Sequence, residues 1–115
     1  MMNRIHLFMQ PIELSSITPR ETAPGYSGRF IHTAGMTLAY FEISAGSASP
    51  EHAHVHEQVS QVLEGVFQLT VAGEPVILKP GAVLVIPSNV SHSGLAITDC
   101  RLLDIFNPVR EDFRK

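Results

Sequence analysis

Several residue types are scarce or absent in this 115-residue chain, and each absence narrows what it can be. There is no tryptophan, there is one cysteine, and charged residues make up only 17% of the sequence. The single Cys100 cannot form an intrachain disulfide and lies in an apolar stretch, which fits a reducing cytoplasm. No apolar run approaches the roughly 18 residues that a membrane-spanning helix needs, and residues 5–9 are too few for a signal peptide. We therefore expect a cytoplasmic protein with no membrane partner.

Basic residues are also few. Eight Lys and Arg against eleven Asp and Glu give a formal net charge of −3, and no run of basic residues occurs. Because phosphate binding needs a concentrated basic face, we expect no nucleic-acid partner. Hydrophobic residues make up 44% of the sequence, which excludes a disordered chain and predicts one domain with its own core.

Eight glycines and eight prolines divide the chain into short pieces rich in Val, Ile, Phe and Thr. No stretch keeps a 3.6-residue period over a helix length, so we predict an antiparallel sandwich or barrel of six to eight strands with hardly any helix. Residues 66–71 and 76–79, separated by Ala72-Gly73-Glu74-Pro75, predict a hairpin. Residues 4–9 form either an edge strand or an arm onto a partner subunit, and residues 109–115 form one helical turn or a charged tail.

Three of the six histidines alternate along the chain. If residues 52–58 form a strand, then His52, His54, His56 and Gln58 project to one face, because side chains alternate with a period of two. Neutral imidazoles on one face can converge on one metal ion. The competing interpretation is a solvated polar strand face.

The wider spacing around these histidines resembles the two motifs of the cupin family. The first motif is matched by Gly46, His52, His54, Gln58 and Gly65, with Gln58 where Glu is usual. The second is matched by Gly81, Pro87, Asn89, His92 and Ala96, with Asn89 in place of a usual Gly and Ala96 in place of a usual Asn. The resemblance implies an all-β cupin double-stranded β-helix, an antiparallel jelly-roll barrel. It also implies one divalent metal ion (Ni, Zn, Mn or Fe) held by His52, His54, Gln58 and His92.

Gln58 has a chemical consequence at such a site. Four neutral ligands leave a divalent ion its full charge, which favours polarising an oxygen of a substrate over activating dioxygen. The neighbouring Glu57 remains an alternative ligand, if a β-bulge turns its carboxylate inward. His56 has the parity to reach the cavity without being a ligand, whereas His6 and His32 lie outside both motifs and are expected to be ordinary structural or surface residues.

The last apolar run contains one acid, Asp104, which shares a strand face with Leu102 and Phe106. An acid pointing into a metal cavity suits a general acid or base, and a turn or salt bridge with Arg110 is the alternative. Arg110 in turn either holds a carboxylate or is a solvated surface charge.

The sequence of residues 52–58, 62–65 and 104–113 is similar to the KdgF-type pectin-degradation cupins. This family converts 4,5-unsaturated uronates, the products of pectin or alginate lyases, into linear keto forms, so the resemblance implies a metal-dependent isomerase or tautomerase acting on a small sugar acid. It implies Asp104, Phe106 and Arg110 as the active-site residues beyond the metal ligands. Two alternatives stay open: a cupin dioxygenase on a small organic substrate, and a non-catalytic module that binds a small ligand.

The resemblance also implies how the domain is organised. We expect one cupin domain over residues 1–115, with a barrel core at about 24–107, an N-terminal arm at 1–23 and a short C-terminal segment at 108–115. A homodimer is expected from the arm and from the family.

Overall fold

The computed structural model describes residues 9–114, which form ten short antiparallel strands and two 3-10 helices. The strands are β1 (Arg20–Ala23), β2 (Tyr26–His32), β3 (Thr37–Ile43), β4 (Ala48–His52), β5 (Glu57–Glu64), β6 (Phe67–Val71), β7 (Glu74–Leu78), β8 (Val83–Ile86), β9 (His92–Ala96) and β10 (Cys100–Asn107). The 3-10 helices are Leu14–Ser16 and Glu111–Arg114. The all-β expectation is confirmed, but the strands number ten and not six to eight.

Two sheets face each other. One has six strands in the order β1-β2-β3-β10-β5-β8, and the other has four in the order β4-β9-β6-β7. Strand β1 lies within the predicted N-terminal arm and pairs with β2, whereas all but the last residue of the segment 4–9 lies outside the described residues. The last turn, predicted as helical or a charged tail, is the second 3-10 helix.

The alternation along each strand decides which residues enter the core. Strand β10 follows the predicted pattern, because Leu102, Asp104 and Phe106 are buried and the residues between them are not. Burial of the apolar members of such faces is the main favourable contribution to folding. The core consists of Tyr26, Ala39, Phe41, Ile43, Val62, Phe67, Leu69, Leu78, Ile86, Ala96, Cys100, Leu102 and Phe106.

The predicted hairpin is present but tighter than expected. Strands β6 and β7 pair up to Val71 and Glu74, so only Ala72 and Gly73 form the loop. Both have positive φ, 49° and 82°, as a two-residue hairpin turn of the type I′ class requires. Pro75, predicted as part of the turn, lies in β7, which is an edge strand where a missing N–H is tolerated.

Candidate metal centre and cavity

Of the five buried polar residues in the described part of the chain, all but Thr37 cluster. Gln58, Ser60, His92 and Asp104 all line one cavity of about 290 Å³ between the two sheets. Buried polar groups destabilise a fold unless they are paired, so such a cluster in one cavity indicates a functional site.

Three histidines meet at the mouth of this cavity. His52 ends β4 and lies directly opposite His92, the first residue of β9, with ring centroids 4.3 Å apart. The His54 ring lies 4.9 Å from that of His92 and 5.5 Å from that of His52. One ligand nitrogen from each histidine lies within 4.8 Å of the other two, as a shared ion requires.

The reason for this convergence differs from the one predicted. Strand β4 ends at His52 and β5 begins at Glu57, so the three alternating histidines do not share one strand; the prediction of a continuous strand was wrong. Instead, residues 53–56 form a loop that returns His54 to the cavity mouth. The loop is held from the segment before β9, because the N–H of Asn89 donates to the His54 carbonyl at 2.8 Å and the Ser88 hydroxyl donates to the Val55 carbonyl at 2.5 Å.

Asn89 occupies the position where the second cupin motif usually has glycine. Its φ is +64°, in the left-handed region that asparagine tolerates better than most residues with a side chain. The substitution therefore keeps the backbone conformation that anchors the His54 loop.

Each imidazole is oriented by a backbone carbonyl two residues away. Nδ1 of His52 donates to the Pro50 carbonyl at 2.8 Å, Nδ1 of His92 to that of Val90 at 2.9 Å, and Nδ1 of His54 to that of His56 at 3.0 Å. A carbonyl only accepts, so Nδ1 carries the proton and the Nε2 lone pair is free, as in metal-binding histidines whose second nitrogen is fixed by an outer partner.

Gln58 completes this set of donors. Its Nε2 donates to the Ser60 hydroxyl at 3.0 Å, which directs Oε1 towards His54 Nε2 at 3.2 Å. Two lone-pair atoms therefore face each other, an arrangement that a cation between them would stabilise. Gln58 is buried, whereas Glu57 is exposed on the other side of β5, so the alternative ligand does not face the site.

The electrostatics also fit a cation with neutral ligands. Burial lowers the pKa of His54, and the Arg110 guanidinium lowers it further. Burial likewise lowers the pKa of His92, whose Nε2 is buried without a hydrogen-bond partner among the described residues. An unprotonated, unpaired nitrogen at the cavity wall is what a metal ion would satisfy, so the residues present fit the ion that the family implies.

Asp104 lies deeper in the same cavity, between Ser60 of β5 and Ala39 of β3 in the register of the sheet. Only 8% of the residue is exposed, and Oδ1 has no hydrogen-bond partner in the part of the chain that the structure describes. Burial raises the pKa of Asp104 to about 6, although the nearby Ser60 and Gln58 side chains and the Arg110 charge oppose that rise. Such a carboxyl exchanges a proton near neutral pH.

Arg110 contacts a different acid from the one considered in the sequence. It is neither a solvated charge nor paired with Asp104: its Nε and Nη2 donate to the two carboxylate oxygens of Asp112 at 2.9 and 2.7 Å. The guanidinium also lies over two aromatic rings, 4.7 Å from the Phe106 centroid and 4.1 Å from that of Phe113. Arg110, Phe106 and Asp112 all line the cavity.

Several lining residues were not found from the sequence. Tyr26 lies between Gly25 and Gly28, which gives no local sign of a buried side chain, yet it begins β2 and points inward. Ser60 lies two residues after Gln58 in β5, so the alternation that places Gln58 inward also places Ser60 inward. No sequence signal distinguished Asp112 from its charged neighbours.

The other histidines do not belong to the group of three that converges at the cavity mouth. The His56 ring lies 5.3 Å from that of His54, and its Nδ1 is buried with no hydrogen-bond partner within residues 9–114. His32 bonds Thr37 Oγ1 at 2.8 Å, away from the cavity, and His6 lies outside the described residues. Within residues 9–114, no helix is long and apolar enough to cross a membrane.

Fold and site together define a cupin. The cupin domain family matches residues 39–106, more than half of the sequence, and the chain belongs to that family.

Among curated proteins, the chain is similar to the pectin degradation protein KdgF of Dickeya dadantii (strain 3937), with 33% identity over 80 residues, 68% of this chain and 73% of that protein. Among solved structures, it is similar to KdgF from Halomonas sp., with a TM-score of 0.78, 28% identity, and coverage of 83% of this chain and 89% of that one. It also resembles a salicylate 1,2-dioxygenase from Pseudaminobacter salicylatoxidans, with a TM-score of 0.73 and 25% identity over 77% of this chain but only 28% of that larger one.

Proposed function

We propose that this cupin is a metal-dependent isomerase that converts a 4,5-unsaturated uronate into its linear keto form. The observation that carries the proposal is Asp104: a buried acid with a pKa near 6 and an unpartnered oxygen, in one cavity with a set of neutral metal donors and an arginine. The similarity to two KdgF proteins, one of them named for pectin degradation, supports the same substrate class.

One divalent ion, Ni, Zn, Mn or Fe, would be held by His52, His54, Gln58 and His92. When bound, it would supply a Lewis acid that stabilises negative charge developing on a substrate oxygen. The chain's own part is to keep the three imidazoles neutral and oriented through their backbone carbonyl partners, and to direct the Gln58 amide through Ser60.

Arg110 would bind the carboxylate of the sugar acid. Asp112 occupies Nε and one hydrogen of Nη2, so the fork formed by Nη1 and Nη2 is left for a second carboxylate. Phe106 lies beneath the guanidinium and 5.7 Å from the His54 ring, and would form the wall against which the sugar ring packs.

Asp104 would move the proton. As the ionised base it takes the proton of the anomeric hydroxyl, the bond between C1 and the ring oxygen breaks, and C1 becomes an aldehyde while the ring oxygen becomes an enolate on C5. Asp104 then returns the proton to C4, which leaves a ketone at C5, so the product is an isomer of the substrate. A pKa near 6 suits both roles at neutral pH.

The test is the decay of the conjugated C4=C5 absorbance of a freshly made unsaturated monouronate. Metal-loaded wild-type protein should accelerate the decay well above the spontaneous rate. A decay no faster than that of substrate alone rejects the isomerase for these substrates.

A second candidate function is a dioxygenase acting on a small organic substrate, favoured by the structural similarity to salicylate 1,2-dioxygenase. Oxygen consumption by the iron-loaded protein in the presence of a phenolic acid would support it. A non-catalytic binding module would instead bind the uronate without turnover, and Asp104→Asn would leave that binding nearly unchanged.

We also propose a homodimer, formed through the outer face of the six-stranded sheet. One cross-strand row on this face is apolar across five strands, and each member is in register with the next: Ile31, Leu38, Ile105, Val59 and Val85. At about 4.8 Å per strand, the row is about 19 Å wide. Apolar surface of this extent on a sheet face favours a protein partner over water.

The charges beside this row favour a second copy as the partner. Arg29 pairs with Glu42 and Arg101 with Glu64 at one end of the face, so its local charge sums to zero and a twofold copy meets no excess of like charge. Light scattering should give a dimer for the wild type and a monomer for Val85→Lys. Ile77→Lys, on the outer face of the four-stranded sheet and similarly exposed, should leave the dimer intact. A monomeric wild type rejects the proposal.

A further inference from the structure

Tyr26 is a buried side chain that the proposed reaction does not use. It begins β2, only 7% of it is exposed, and it lines the cavity together with Asp104 and His92. Its ring packs edge-on against Phe41 and Phe67, with centroids 6.1 and 6.5 Å away. The position of the ring is therefore set by packing and not by a hydrogen bond of the hydroxyl.

The Tyr26 hydroxyl is buried and has no hydrogen-bond partner among residues 9–114. Ser49 lies beside it, and the Ser49 Oγ already accepts a hydrogen bond from the N–H of Gly94 at 3.0 Å. Burial raises the pKa of Tyr26, and the charge of Asp104 raises it further, although the side chain and backbone of Ser49 beside it oppose that rise; the group therefore keeps its proton and remains a donor. A buried donor without an acceptor destabilises the fold, and in a cavity wall it marks a position where a ligand supplies the acceptor.

We propose that the Tyr26 hydroxyl donates a hydrogen bond to a neutral oxygen of the bound sugar acid, and so helps to determine substrate specificity. A neutral hydroxyl or carbonyl oxygen fits better than the carboxylate, because Asp104 lies close enough to act on Tyr26 electrostatically and would repel an anion. The carboxylate belongs at Arg110. The inference rests on the proposed function for the identity of the ligand.

The chain offers a matched pair of variants. It contains two tyrosines and no tryptophan, and Tyr40 lies on the outer face of β3, opposite the buried side of that strand. Tyr26→Phe removes a hydroxyl from the cavity, and Tyr40→Phe removes one from the outer face of the sheet. The Tyr40→Phe protein also retains Tyr26 as its sole tyrosine, so its fluorescence reports on the cavity alone.

The first experiment measures turnover, thermal unfolding and metal content. Tyr26→Phe should lower kcat/KM about tenfold, the effect of losing a hydrogen bond to substrate, while the melting temperature stays the same or rises and metal content is unchanged. Tyr40→Phe should match the wild type. An unchanged kcat/KM in an active Tyr26→Phe protein overturns the inference, and so does a fall that comes with a lower melting temperature or lost metal.

The second experiment separates this inference from the proposed reaction. Titration of galacturonate, a saturated uronate that has no C4=C5 bond to isomerise, should change the tyrosine fluorescence of metal-loaded Tyr40→Phe and leave that of Tyr26→Phe unchanged. No change in Tyr40→Phe overturns the inference. A fluorescence change together with no wild-type turnover of the unsaturated uronate supports Tyr26 as a ligand contact and rejects the isomerase.

Discussion

Arg110 is held by Asp112, two residues further along the chain, through two charge-assisted hydrogen bonds, and its guanidinium lies against the rings of Phe106 and Phe113. Only 11% of the Arg110 side chain is exposed, so its orientation is set before any ligand arrives. Because the side chain is already ordered, less conformational entropy is lost when it binds a carboxylate.

Arg110→Lys should therefore fail as a substitute even though the charge is kept. Lysine has neither the fork nor the planar face, so we expect KM to rise about tenfold or more with a smaller change in kcat. Arg110→Ala should raise KM further. Arg114→Lys is the matched control, because Arg114 pairs with Glu111 at 3.0 Å on the surface and should give wild-type kinetics. Equal KM values for Arg110→Lys and the wild type contradict the assignment.

Asp104→Asn should remove the proton carrier and little else. A general acid or base contributes about 10² to 10⁴ in rate, so we expect kcat to fall on the order of 10²-fold or more while metal content stays at the wild-type level. Asp99→Asn, which changes an exposed acid outside the cavity, controls for the lost charge. A wild-type kcat in Asp104→Asn would remove Asp104 from the mechanism.

The same substitution should stabilise the metal-free protein at neutral pH. Between the ordinary pKa of 3.8 and the folded value of about 6, the folded protein keeps a proton on Asp104 that the unfolded chain has lost. Wild-type stability therefore falls as pH rises through this window, by about 1.4 kcal/mol per pH unit and about 3 kcal/mol in all.

Urea unfolding at about pH 4 and about pH 7 measures this effect. The free energy of unfolding of Asp104→Asn relative to the wild type should be higher at pH 7 than at pH 4 by about 2 kcal/mol, since part of the effect is already present at pH 4. The Asp99→Asn protein gives the reference for an exposed acid. If the stability difference between Asp104→Asn and the wild type becomes smaller as pH rises, the pKa of Asp104 is not raised in the folded protein.

Metal content should depend on the histidines at the cavity mouth. Elemental analysis of His54→Ala and His92→Ala should show loss of the ion, and His32→Ala, which changes a histidine outside the cavity, should retain it. Burial lowers the pKa of His54 and His92, so protons displace the ion only below the ordinary imidazole value of 6.5. Unchanged metal in both variants rejects the site.

Gln58→Glu should separate metal affinity from activity. A carboxylate at this position adds a charged ligand, so we expect binding of the ion to tighten about tenfold in a chelator competition. The same charge beside Asp104 raises the pKa of that acid and reduces the charge left on the ion, so kcat should fall. Gln61→Glu, on the outer side of the same strand, should change neither quantity. A more active Gln58→Glu protein would contradict the role given to a neutral ligand.

The period-two pattern of single strands was enough to predict much of this structure. It placed Leu102, Asp104 and Phe106 on one buried face of β10 and favoured Gln58 over Glu57, because alternation is a local property of an extended chain. It failed at residues 53–56, where bonds from Ser88 and Asn89 stabilise a loop. Such bonds join segments more than 30 residues apart, and no local pattern encodes them.

The places of Tyr26 and Asp112 in the cavity could not be predicted either, because they depend on contacts that form only in the folded chain. Tyr26 follows a glycine and precedes another close by, which locally favours a turn, but packing between Phe41 and Phe67 from both sheets decides its place. Asp112 follows another acid, Glu111, and only the fold shows that Asp112 contacts the Arg110 fork while Glu111 pairs with Arg114.

The donors at the cavity mouth come from both sheets. Gln58 belongs to the six-stranded sheet, His52 and His92 to the four-stranded one, and His54 to the loop that joins them. An ion held by all four would tie the two sheets together, and it would bind the folded chain in preference to the unfolded one. Melting temperature should then climb with the logarithm of free metal concentration, and heating the protein becomes a way to rank Ni, Zn, Mn and Fe without any substrate.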